Sequence, residues 1–156
     1  MSIERSVLLT ADGKARLESD LKQLRDVRLK ELFRSVQDAN TNNEASDSSE
    51  YEELKDELAY TEARVRDLEQ LLENAEVIAE GSPDGIVAIG SHVTVKGDDG
   101  ITETWILVSP EEASLSEFRV STDSPVGQAL LGCKAGDTIH VETPGGAVSY
   151  DVVTVE

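Results

Sequence analysis

The sequence predicts an α+β protein: an N-terminal antiparallel coiled-coil helical hairpin, then a small, mainly antiparallel sheet domain with one short helix. Three observations carry this. Long stretches on both sides of NTNNEASDSSEYEE, residues 40–53, repeat apolar residues at helical spacing. After Glu80 the pattern changes to short runs that alternate with a period of two. The length of 156 residues has room for one ordinary domain or two small ones.

The first helix is predicted from Thr10 to about Ala39. Thr10 is a suitable N-cap, and Asp12 stands in the first turn, where the helix dipole favours negative charge. Leu17, Leu21, Leu24, Leu32 and Val36 form its stripe, with Arg28 in the missing step. On the second helix Tyr51, Leu54, Leu58, Thr61, Val65, Leu68, Leu72 and Ala75 alternate three and four apart, a heptad seam. Ser49 and Glu52 match a capping box at its start. Each helix has one narrow apolar stripe and no other partner of similar length, so the two are expected to bury those stripes on each other. At 1.5 Å per residue, about 28 residues make a rod of roughly 40 Å. A rod of that kind hides little surface for its length, so its shape points to reach.

GSPDG reads as a turn-rich linker dividing a hairpin, residues 1–80 with its acidic tip near 40–50, from a globular domain, residues 81–156. Within the latter, SHVTVK, TETWILV, EFRVS, DTIHVE and AVSYDVVTV are strand candidates punctuated by GDDG, LGCKAGD and TPGG. PVGQALLG is the candidate helix, with Pro125 in its first turn and Ser124 or Asp123 as cap.

Composition excludes several classes. A net charge of −18, from 32 acidic and 14 basic residues, opposes binding to nucleic acid or anionic membrane through the overall field. No apolar run approaches the roughly 20 residues of a membrane span. The N-terminus lacks the pattern of a secretory signal, which makes a cytoplasmic protein the simplest reading. Cys133 stands alone, so it forms no internal disulfide and reads as a small packed residue. His92 and His140 sit within strand alternation, apart from any nucleophile motif, and the glycines of VKGDDG and ETPGG mark hairpins.

Charge is uneven along the hairpin. Residues 14–34 hold seven basic and four acidic side chains, whereas residues 38–62 hold nine acids and only Lys55. A solvated face explains such a run by default. Asp38, Asn40 and Asn42 match the start of an EF-hand loop, but its glycine is Asn43 and its bidentate glutamate is Ser49, so calcium is rejected. A polar turn needs only a few residues, and this tip is long for that purpose. The third reading is that Glu44 and Asp47, three apart, offer half a magnesium site that a partner completes with further ligands.

LLTADGKARLESDLKQL, NEASDSSEYEELKDE, IGSHVTV, STDSPVGQALLGCKAGD and ETPGGAVSYDVVTVE together resemble the Gre family of bacterial transcript cleavage factors, over essentially the whole chain. The resemblance implies an FKBP-like fold for residues 81–156. It implies that this domain docks on bacterial RNA polymerase through Asp123, Ser124 and Pro125 while the hairpin enters the secondary channel. Glu44 and Asp47 match the two tip acids that help hold the polymerase's second Mg2+, supported by Tyr51. Lys55 and Arg34 are the nearest cations to meet the nascent RNA 3′ end. The implied protein is a monomeric accessory factor, with no turnover and no metal of its own. Prolyl isomerase activity is not expected, because the domain offers only Trp105, Phe118 and Tyr150 to line a proline pocket, each expected in the core.

The tip departs from the family's Gly-Asp-x-x-Glu-Asn-(small)-acid-Tyr. Here it reads Asn43-Glu44-Ala45-Ser46-Asp47-Ser48-Ser49-Glu50-Tyr51, so the longer and shorter acids have changed places. One methylene moves a carboxylate by about 1.5 Å, enough to weaken an octahedral site. Asn40 also replaces a basic residue that often accompanies cleavage activity. The alternative implied function is therefore a non-cleaving inhibitor or modulator working through the same channel.

Overall fold

In the computed structural model, residues 6–41, 49–116 and 118–156 are described. The chain divides into two compact units, one of residues Lys14–Asn74 and one that combines Met1–Gly13 with Ala75–Glu156.

The first helix begins at its predicted cap. Gly13 N–H donates to Thr10 Oγ1 at 3.0 Å, and α1 covers Ala11–Gln23 with Asp12 in its first turn. A π-helical segment, Leu24–Arg28, continues it, with Leu29 N–H bonded to Leu24 O; α2 follows over Leu29–Thr41. The returning helix, α3, is Ser49–Glu73. Leu17, Leu21 and Leu32 are buried, with Leu24 and Val36 half-buried. On α3, Thr61, Val65 and Leu68 are buried while Tyr51, Leu54, Leu58 and Leu72 are half-buried. The predicted seam therefore leaves water along its length, at about 1.5–3 kcal/mol for each fully buried leucine or valine.

Charges decorate this seam. Arg25 Nη1 lies 3.8 Å from Glu69 Oε1, and Arg28 pairs closely with Glu57, as antiparallel arms require. All four side chains are exposed, so each pair adds at most about 1 kcal/mol. Arg28 fills the apolar gap in the first stripe by reaching outward.

The second unit overturns three expectations. Its boundary is not at residue 80, because β1 (Val7–Thr10) and β2 (Ala75–Ile78) belong to it and pair in parallel, with Leu9 opposite Val77. Ala75, expected to end the heptad seam, instead opens β2. GSPDG is an internally bonded turn inside the unit. Gly81 N–H donates to Gly90 O at 2.8 Å, and Asp84 Oδ1 accepts from Ile86 N–H at 3.1 Å and from the Ser82 hydroxyl at 3.0 Å.

Those donors hold the Asp84 carboxyl below its ordinary 3.8, the Ile86 N–H being the larger cause. A depressed carboxylate stabilises the turn above its unfolded pKa and loses that stabilisation as pH falls through its lower folded pKa. The Ile86 amide resonance should therefore titrate with a midpoint below 3.8, and Asp84→Ala should abolish the titration.

The main sheet has five strands in the order β5-β4-β3-β7-β6. They are β3 (His92–Gly97), β4 (Thr102–Val108), β5 (Arg119–Ser121), β6 (Thr138–Thr143) and β7 (Gly146–Val155). All neighbours are antiparallel except β4 and β5, which run parallel. The predicted strands are all present, and the expected single helix is joined by a second. These are α4 (Pro110–Ala113) and α5 (Pro125–Leu130). Val93, Val95, Trp105, Leu107, Ile139, Val141 and Val152 point from the strands into one core, capped by Leu130 of α5 and Val87.

His92 and His140 occupy the opposite phase of that alternation. His92 Nε2 lies 3.1 Å from Glu80 Oε2, and His140 Nδ1 lies 2.7 Å from Ser149 Oγ. Burial and the Asp137 charge raise the Cys133 thiol, whose S–H donates to Ala129 O at 3.2 Å; it is a weak nucleophile.

Candidate functional site

Glu44 and Asp47, the predicted metal-assisting pair, lie outside the described residues. Their flanks are described. Thr41 ends α2, its hydroxyl donating to Asp38 O at 2.8 Å, and α3 opens with Glu50 and Glu52 at the positive end of its dipole. Tyr51 is half-buried in the seam, and the Lys55 ammonium stands 5.3 Å from the centre of its ring. Side chains on a helix lean toward its N-terminus, so this cation–π contact holds Lys55 toward the tip end of α3. Arg34 is exposed on α2.

Among the described residues no three His, Cys, Asp or Glu side chains converge to hold a metal. The donor chemistry of Glu44 and Asp47 fits magnesium only in part: two hard carboxylate oxygens against an octahedron of six. They suit an ion shared with other ligands and not one held alone.

Asp123, Ser124 and Pro125 are brought together on one turn. Ser124 caps α5, its Oγ accepting from Gly127 N–H at 3.0 Å and its O–H donating to Ser121 O at 2.7 Å. Asp123 N–H donates to Ser121 Oγ at 3.0 Å. Pro125 is the first helical residue, where its missing N–H costs nothing. Asp123 and Pro125 are exposed, so the turn presents a carboxylate and an apolar ring at the surface.

Beside the turn is an open groove of about 560 Å³, bordered by Trp105, Phe118, Tyr150, Ser121, Ser124 and Val126. The aromatics were expected in the core. Trp105 does join it, yet its ring also meets Tyr150 edge-on, with centroids 5.1 Å apart and planes at 74°, and its Nε1–H donates to Glu103 Oε2 at 3.1 Å. Phe118 is 61% exposed.

One polar cluster carried no sequence signal. Glu112 is fully buried in α4. Its carboxylate accepts from Thr10 N–H at 3.0 Å and closely from the Thr10 hydroxyl, and Arg119 Nε approaches Oε1 at 3.4 Å. Arg119 also donates to Asp12 Oδ2 at 2.5 Å and Ser116 Oγ at 3.0 Å. The cluster ties the end of β1 and the first turn of α1 to α4 and β5.

A family model described as "Transcription elongation factor, N-terminal" matches residues 7–77, and "Transcription elongation factor, GreA/GreB, C-term" matches residues 82–156. The chain is 36% identical to transcription elongation factor GreA of Bacillus cytotoxicus over 158 residues, covering all of both chains. It is 37% identical to the Bacillus cereus GreA on the same coverage. It is 36% identical to that of Listeria monocytogenes, covering 97% of this chain and 96% of the relative. Among solved structures, GreA factor homolog 1 of Thermus thermophilus is 34% identical with a TM-score of 0.47, covering 97% of this chain and 99% of that one. The GreA/GreB factor of Nitrosomonas europaea is 23% identical with a TM-score of 0.41, covering 96% and 98%.

Proposed function

The chain belongs to the GreA/GreB family of transcription elongation factors, and from that premise we propose that it stimulates RNA polymerase to cleave its own backtracked transcript. The observation that carries this reading is the paired-helix seam. Leu17, Leu21 and Leu32 of one arm and Thr61, Val65 and Leu68 of the other are buried in it, and near the start of the returning arm the Lys55 ammonium stands over the Tyr51 ring. A two-armed helix is stiff where a loop is not, so charged groups at its end can be delivered to a fixed point inside a larger machine.

In this mechanism the globular unit docks on the polymerase through Asp123, Ser124 and Pro125, and the hairpin enters the secondary channel. Glu44 and Asp47 would supply hard carboxylate oxygens to a magnesium ion whose remaining ligands come from the polymerase. An ion held there would supply the two-metal chemistry of phosphoryl hydrolysis. Lys55 and Arg34 neutralise phosphates of the displaced RNA 3′ end, which otherwise meets nine acids between residues 38 and 62. The protein alone turns nothing over, and its work on polymerase places it in the cytoplasm.

The test is transcript shortening in stalled, backtracked complexes. Glu44→Gln and Asp47→Asn are each expected to slow shortening roughly 10–100-fold, the range seen for perturbed metal sites, with polymerase binding unchanged. Unaltered shortening in both variants removes these residues from the mechanism. The exchanged lengths of the two acids favour a second reading, in which the hairpin occupies the channel without cleavage. Absent shortening by the wild-type protein, together with slowed nucleotide addition, selects it.

A further inference from the structure

The hairpin has a second feature, of which the tip mechanism uses only Arg34. Arg25 of the π-helical turn and Leu29, Phe33 and Gln37 of α2 follow one another at four-residue steps, with Lys30 and Arg34 on the neighbouring row. Together with Glu62 of α3 they border an open groove of about 480 Å³. Phe33 is 54% exposed, an unusual position for a phenyl ring on an otherwise narrow-striped helix. Arg25 is shared with Asp26 and Glu69, but among the described residues Lys30 and Arg34 form no ion pair. In a chain of net charge −18, this stretch is locally positive. The π-helical turn Leu24–Arg28 lies immediately before the groove and includes Arg25; such turns concentrate at functional sites.

An exposed aromatic face beside cations matches one ligand chemistry, a base carrying phosphates. The geometry points to this groove as a binding site for a free nucleoside polyphosphate. The base stacks on Phe33 against Leu29, within reach of the polar ends of Gln37 and Glu62. The phosphates lie along Lys30 and Arg34, with Arg25 beyond them. The volume suits one nucleotide. Its surroundings decide between a free nucleotide and a nucleic acid strand. Residues 38–62, which carry nine acids and one lysine, continue from the same arm, and an extended polyanion would have to lie against them. A single nucleotide needs only the groove.

Isothermal titration of the full-length protein with ATP, in low salt with a chelator so that no magnesium bridges ATP to the tip acids, tests this. One ATP per chain is expected, with Phe33→Ala and Lys30→Glu each weakening it tenfold or more and Phe33→Tyr retaining it. Adenosine alone and tripolyphosphate alone should each bind at least tenfold more weakly than ATP. Glu44→Gln and Asp47→Asn should leave ATP binding unchanged, so failure of the cleavage reading and failure of this one are separable. Three results overturn the proposal: no ATP binding at millimolar concentration, ATP binding indifferent to Phe33→Ala and Lys30→Glu, or a six-nucleotide RNA bound more tightly than ATP. In the first of these cases, binding of a glutamate-rich peptide assigns the groove to a protein partner.

Discussion

Glu112→Ala is expected to cost the globular unit about 3 kcal/mol, lowering its thermal midpoint by on the order of 10 °C. The substitution removes an acceptor on which Thr10 N–H, Thr10 O–H and Arg119 Nε all converge. Thr10 is fully buried, so its two donors lose their partner with no water to replace it. Arg119, with only 9% of its side chain exposed, retains Asp12 and Ser116, which keeps the loss near the lower end for a broken buried pair. Gly13→Ala attacks the same cluster from the other side. A Cβ there would stand 2.2 Å from Glu112 Cδ, and the carboxylate cannot retreat without releasing Thr10. On an exposed helix this change would stabilise by up to about 1 kcal/mol through helix propensity; here a loss of similar size to that of Glu112→Ala is expected. Chemical denaturation followed through Trp105 fluorescence reads both. Stability within 0.5 kcal/mol of wild type, a margin typical of neutral surface changes, would show that the cluster bears no weight.

This cluster marks the limit of what the sequence discloses. The seam from Leu17 to Leu72 is legible because each helix repeats its pattern enough times for packing to have a single solution. The strands of the main sheet are legible because one face is buried, so Val93 and Val95 or Ile139 and Val141 must alternate with polar neighbours. Ser124 and Pro125 announce α5 through local cap chemistry. Elsewhere the cause is distant. VLLT and AEVI are four residues each, and AEVI continues the helical spacing of Leu68 and Leu72, so only its parallel partner makes it a strand. PEEA is a single turn, and nothing near it in the chain says that its second glutamate is the buried one. The acids of the tip are legible as chemistry, through their spacing and their position between two helices, without any geometry at all.

Gly127→Ala is expected to weaken polymerase binding tenfold or more while leaving the helical hairpin intact. Gly127 sits at the third position of α5, where its N–H meets the Ser124 cap. A Cβ on it would lie 1.9 Å from the carbonyl oxygen of Ser121, a backbone atom with no side-chain freedom to yield. That carbonyl also accepts from the Ser124 hydroxyl and the Ser124 N–H, so displacing it unseats the cap and with it Asp123 and Pro125. Overpacking of this kind costs typically 1–3 kcal/mol, within the margin of an ordinary domain. The variant should therefore fold with a changed turn. Residues 14–74 form a separate compact unit, so the circular-dichroism signal of α1, α2 and α3 should persist. Ser124→Ala, which removes the cap without the clash, should lose about 1 kcal/mol of stability and a smaller part of the binding. The pair separates shape from composition, because Gly127→Ala leaves Asp123, Ser124 and Pro125 chemically unchanged. Binding at wild-type strength, with shifted amide resonances from Ser121 to Val126, would show that the polymerase reads some other surface of the globular unit.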